Sequence, residues 1–240
     1  MADATDAPRP APGSADPAAW TDCTPVVVRL GPEICRDTAA ALRREWLVTN
    51  GLGGYAFGTV AGAPTRAYHG LLVAALRPPV ERTVLVAGLE ERVATPDGGD
   101  PVRLIGGRDG TLVEFRLEGM LPVWTHAAAD GMIERRVWAD HGVNATSVRY
   151  ELCDGARPVR LSVVPLVTAR DHHDPRPRRG NTRPSVRLLT PRHATVRLVT
   201  PVGPIDLHIR ADQGSLRTDG PGLGRWRRRI PLPEEPARGL

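Results

Sequence analysis

A chain of 240 residues with 41% hydrophobic residues is large enough to bury a core, but with aromatics at only 4% that core must be built mainly from Val, Leu and Ala. The 25 glycines and 24 prolines argue against a helical protein, because both residues punctuate helices and both suit turns. A net charge of +5 raises nucleic acid as a partner, yet all 32 basic residues are Arg, they are scattered along strand-like segments with one cluster at Arg225, Arg227, Arg228 and Arg229, and Lys, a good phosphate binder, is missing. A codon preference for Arg explains that pattern more simply, and no nucleic-acid partner is expected.

Residues 1–19 are acidic and rich in Pro and Ala, and are expected to form a disordered leader. They have neither a basic n-region nor an apolar h-region, so they do not read as a signal peptide. No apolar run approaches the roughly 20 residues needed to span a bilayer, so no membrane partner is expected. Cys23, Cys35 and Cys153 form no CxxC pair and leave one over, which does not suit a secreted disulfide framework. These features predict a cytoplasmic protein whose β-sandwich domain occupies residues 20–240.

Val26–Leu30 reads as the first strand, stopped by Gly31-Pro32, and Asp37–Arg44 as a short helix in which Asp37 caps and Ala and Leu propagate. Period-2 patterns follow. In 111–117, Leu112, Glu114 and Arg116 alternate with Val113, Phe115 and Leu117. In 133–139, Ile133, Val137 and Ala139 share a face on which Arg135 is the polar exception, with Glu134, Arg136 and Trp138 opposite. In 146–152, Val148, Tyr150 and Leu152 alternate with Ser147, Arg149 and Glu151. Half-buried antiparallel strands produce this alternation. Gly119, Asp130-Gly131, Asp140-His141-Gly142 and Asp154-Gly155 separate them as turns. After Asp174 comes a basic Pro/Gly loop, and shorter strands return at 185–189, 194–199 and 205–209. The pattern predicts an all-β chain, one large antiparallel β-sandwich with at most one or two short helices.

Several groups of residues invite a chemical reading. Thr49-Asn50-Gly51-Leu52-Gly53-Gly54-Tyr55 joins two strands, and its glycines permit positive φ and close backbone approach, either for a tight bend or beside a ligand. It lacks the GxGxxG spacing of a phosphate loop. In Thr65-Arg66-Ala67-Tyr68-His69-Gly70 the Arg66 fork suits adjacent sugar hydroxyls or a carboxylate, and Tyr68 offers a stacking face plus a hydroxyl. The plainer alternative pairs Arg66 with a nearby acid and uses His69 to cap a turn. Arg170-Asp171-His172-His173 closes a strand. Adjacent histidines on a loop do not easily reach one tetrahedral ion, so no metal site is expected, and a solvated turn stands beside a sugar-facing loop as an alternative. The doublets Glu90-Glu91 and Glu234-Glu235 place neighbouring carboxylates on opposite strand faces, which does not suit a glycosidase acid–base pair. Trp124, Trp138 and Trp226 are read as core fillers before sugar platforms.

The stretch EWLVTNGLGGYAFGTVAGAPTRAYHGLLVAALRPPVERTVLVAGLEE, from Glu45 to Glu91, resembles the signature of the amino-terminal domain of bacterial and archaeal-type glycogen debranching enzymes of the amylo-α-1,6-glucosidase type. The resemblance continues through Leu121–Trp124, Arg135–Trp138, Val159–Leu161, Pro165–Val167 and Arg170–His173, and reappears at Trp226 and 235–240; Phe57 and Ala67 depart from it. It implies a supersandwich-type fold and a role in holding the substrate cleft of an enzyme that hydrolyses α-1,6 branch linkages. The partners it implies are glycogen or a branched α-glucan and a helical-barrel, (α/α)6, catalytic domain. That barrel is not expected within these 240 residues, so the chain is expected to be inactive alone and to need no cofactor. The substrate-binding candidates are Asn50, Arg66, Tyr68, His69, Arg170, Asp171 and His172. A free-standing α-glucan-binding module without catalysis, and a structural domain with an exposed docking face, are the alternatives.

Overall fold

The computed structural model describes residues 25–95, 97–98, 100–104, 111–128, 131–153, 158–174 and 184–218. The expected leader, Cys23, Trp226, the Arg225–Arg229 cluster, the Glu234-Glu235 doublet and most of the Pro-rich loop after Asp174 lie outside these residues. In chain order the elements are β1 (Val26–Leu30), α1 (Pro32–Cys35), α2 (Thr38–Leu42), β2 (Glu45–Thr49), β3 (Tyr55–Thr59), β4 (Gly70–Arg77), β5 (Val80–Ala94), β6 (Val102–Arg103), β7 (Leu112–Glu118) and β8 (Leu121–Ala128). They continue with β9 (Gly131–Ala139), β10 (Thr146–Cys153), β11 (Arg160–Asp171), β12 (Ser185–Thr190), β13 (His193–Thr200) and β14 (Gly203–Arg210).

The strands form three sheets, ordered β1-β7-β8-β9-β10, β11-β5-β4-β3-β2 with β6 on β5, and β12-β13-β14. Every pairing is antiparallel. This is the all-β class with two short helices that the alternation and turn spacing predict. The first two sheets share one core, and the third contributes Val196, Leu198 and Leu207 to it. In β4 every residue from Gly70 to Ala75 is buried, as expected of a strand covered on both faces.

Three aromatic rings meet at the junction of the two large sheets. Trp46 of β2 meets Trp124 of β8 edge to face at 5.1 Å, and Phe115 of β7 packs on the same indole. Each buried indole N–H needs an acceptor: Trp46 donates to the Thr59 carbonyl at 3.2 Å and Trp124 to the Val60 carbonyl at 3.0 Å. Asp37 caps α2 by accepting from the Ala39 and Ala40 amides, leaving Ala40 and Ala41 to be buried. Gly31-Pro32 does end β1, but Pro32 also opens α1, where its missing N–H costs nothing.

Two positions differ from simple alternation. A bulge between Leu112 and Glu114 lets β7 advance two residues while β8 advances one. Leu112 therefore joins Phe115 in the core instead of facing away from it. Trp138 is not a core filler; it is half-buried and donates to Asp140 at 2.9 Å. The outer face of the first sheet is a charge ladder in which Arg116 contacts Glu114, Glu118 and Glu134, and Arg136 contacts Glu134 and Glu151. No helix among the described residues is long and apolar enough to cross a membrane. Cys35 and Cys153 are free thiols.

Candidate functional site

The segment between β3 and β4 is shaped by His69. Its Nδ1 accepts from the Thr65 amide at 3.0 Å and, more weakly, from the Arg66 amide at 3.4 Å, which leaves the proton on Nε2 to face Glu45 Oε1 at 3.2 Å. Burial holds the His69 pKa below its ordinary value, although Glu45 works against that. The ring edge also packs on Phe57, with centroids 4.4 Å apart. His69 is thus neutral, buried and fully engaged. Glu45 takes a second contact from Arg66 Nε at 2.6 Å, and the rest of the Arg66 side chain is about half exposed.

Tyr68 points the other way, toward the end of β11. Its hydroxyl meets His173 Nδ1 at 3.0 Å, and its ring lies edge-on to both His172 and His173. The two histidine rings are 3.9 Å apart between centroids. His172 Nδ1 donates to the Arg82 carbonyl at 3.1 Å, and burial, followed by the neighbouring His173, pushes its pKa down. Asp171 accepts from the His173 amide at 2.8 Å, which turns the chain at the strand end. Arg170 Nη2 donates to the His69 carbonyl at 3.1 Å, joining the two segments, and burial lowers its pKa. The fold therefore brings Arg66, Tyr68, His69, Arg170, Asp171 and His172 into one connected group on the second sheet. Sequence reasoning missed Glu45, which anchors both Arg66 and His69. It also missed Tyr55, whose hydroxyl donates to the Tyr68 carbonyl at 3.2 Å. Glu45 and Tyr55 alternate onto the sheet face opposite Trp46, a signal available in the strand pattern.

Asn50 is placed differently. Its Oδ1 accepts from the Leu52 and Gly54 amides, and its Nδ2 donates to the Val143 carbonyl and Asn144. Those contacts close the glycine corner and tie it to the turn between β9 and β10. At Gly53 the backbone has φ of +91° and an added Cβ would lie 2.5 Å from the Pro79 carbonyl oxygen. Gly53→Ala is expected to cost about 1–3 kcal/mol of unfolding free energy, read by urea denaturation. The corner therefore needs its glycine for the bend itself.

A second polar cluster lies inside the sandwich. Arg135, the polar exception on β9, is buried and donates through Nε to Glu91 Oε1 at 2.7 Å. Tyr150 of β10 donates to the same oxygen, and the Arg135 guanidinium sits 4.6 Å above the Trp124 ring. Burial raises the Tyr150 pKa well above its ordinary value, so the phenol stays protonated. Beside this cluster His126 is fully buried, its Nδ1 3.3 Å from Thr111 Oγ1, and burial followed by the Arg135 charge pushes its pKa down to about 3. Glu90 faces the opposite way and pairs with Arg92 and Arg103 at the surface. Among the described residues no three His, Cys, Asp or Glu side chains converge as metal ligands would.

Fold and site together define an antiparallel β-sandwich domain that groups arginine, tyrosine and histidine side chains on its second sheet. Residues 44–240 match the family described as glycogen debranching enzyme N terminal, and the chain belongs to that family. No curated protein and no solved structure match it.

Proposed function

We propose that this chain is the scaffold and substrate-cleft domain of a glycogen debranching enzyme, working beside a helical-barrel domain that hydrolyses α-1,6-glucosidic branch linkages. The observation that carries the reading is the contact between the Arg66–His69 and Arg170–His173 segments in a member of this family. Arg66 and Tyr68 are the residues assigned to the glucan, with Arg170, Asp171 and His172 holding the neighbouring segment. Asn50 and His69, both buried and engaged, act as positioning residues.

Hydrolysis needs two carboxylates about 5–9.5 Å apart on either side of the scissile bond. Glu45 is committed to Arg66 and His69, and Glu91 is buried against Arg135, so neither is assigned to catalysis. The purified chain is therefore expected to release no glucose from a branched dextrin, and to support release once the barrel domain is supplied. Hydrolysis by the chain alone contradicts the reading. Retention on glycogen in co-sedimentation, without any stimulation of the barrel domain, points instead to a free-standing binding module.

A further inference from the structure

We propose that the pocket where β2, β3 and β5 meet Trp124 of β8 and Arg135 of β9 is a hydration site, in which bound water donates a hydrogen bond to the second carboxylate oxygen of Glu91. The cavity measures about 40 Å³, and its walls include Trp46, Thr59, His69, Glu91, Trp124 and Arg135. Glu91 is 1% exposed, and its Oε1 already receives Arg135 and Tyr150. Its Oε2 has no protein partner among the described residues. A buried carboxylate oxygen without a donor is costly, and buried polar atoms in native proteins are almost always paired with protein or with ordered water.

The occupant follows from size, charge and chemistry. A water requires roughly 10–15 Å³ of such space, so the pocket holds about three to four waters and is too small for a sugar ring. The Glu91 charge is already balanced by Arg135, so a neutral donor fits better than a second cation. The other polar walls are largely committed: both indole N–H groups go to backbone carbonyls, and both ring nitrogens of His69 are engaged. Thr59 and Arg135 line the same pocket, so a water at Oε2 has further polar groups around it. The site is independent of glucan binding. It joins the cross-sheet pair to the walls at 58–64 and His69, which lead into the Arg66–Tyr68 segment.

A crystal structure of the 240-residue chain at a resolution that places water tests this, together with the structures of Glu91→Gln and of the double variant E91M/R135M. The expected result is a water peak about 2.6–3.0 Å from Glu91 Oε2 in the unmodified chain. The peak stays in Glu91→Gln, which retains an acceptor, and disappears in the double variant. The proposal is overturned if Oε2 meets a protein donor, if no peak is found there, or if the same peak persists in the double variant. Should either variant fail to fold, the density of the unmodified chain decides the matter.

Discussion

Glu91→Leu is expected to lower the unfolding free energy by about 3–5 kcal/mol. The reason is the charge left behind. Arg135 is buried with its guanidinium over the Trp124 ring, and Glu91 is its ion-pair partner at 2.7 Å. Without that carboxylate the guanidinium stays desolvated and unbalanced, and the Tyr150 hydroxyl loses its acceptor. Arg135→Met is expected to be comparably damaging, because it leaves the carboxylate unpaired. Removing both charges is a different matter: an apolar pair of similar volume is often neutral or stabilising. E91L/R135M is therefore expected to recover most of the loss of either single variant. Urea denaturation of the four proteins measures this as a double-mutant cycle. Additive losses, with no recovery in the double variant, would show that the pair is not coupled as its geometry requires.

Acid is expected to destabilise the fold through His126. Its pKa is about 3 when folded, against about 6.5 for an unfolded histidine. Between those values the unfolded chain holds a proton at this residue that the folded chain does not. Stability from this group is therefore fully present above pH 6.5 and is lost as the pH falls toward 3. The slope is about 1.4 kcal/mol per pH unit, or about 2–3 kcal/mol between pH 6.5 and 4.5. His126→Leu removes the titrating ring and leaves Thr111 donating to the Leu104 carbonyl. Urea unfolding at pH 7 and at pH 4.5 is expected to show a smaller acid loss in the variant, by the same 2–3 kcal/mol. His69 and His172 shift in the same direction but are present in both proteins, so they cancel in the comparison. Equal acid losses in the two proteins would remove His126 as the cause.

Much of this architecture was legible in the sequence because local physics dominates there. Val26–Leu30 is a run of β-formers ended by Gly-Pro, and Asp37 caps a short Ala-rich helix, so both elements lie where the residues indicate. Leu112 was misplaced because a bulge shifts register by pairing geometry, which alternation within one strand does not encode. Arg135 stood out as a polar residue on an apolar face, yet its partner lies 44 residues away on another sheet. Long-range pairing of that kind is set by how the sheets stack. The same holds for the candidate site. Each segment is visible as a motif, but the contact of Tyr68 with His173 spans 105 residues and depends on β11 lying beside β5. Asn50 reads equally well as ligand donor or corner clasp in sequence, and only the position of the Val143–Asn144 turn gives its side chain a partner.

The most direct measurement is the kinetics of branched-dextrin hydrolysis by an enzyme in which this domain is joined to the proposed helical-barrel domain, carrying Arg66→Ala or Tyr68→Ala. Each variant removes a side chain at the exposed end of the site while leaving Glu45 bound to His69. The predicted result is a fall in kcat/KM of about tenfold or more, the scale of one lost hydrogen bond to a charged group or one lost stacking face, with an unchanged urea midpoint. Unchanged Michaelis parameters in both variants would contradict the assignment of this group of residues to the glucan.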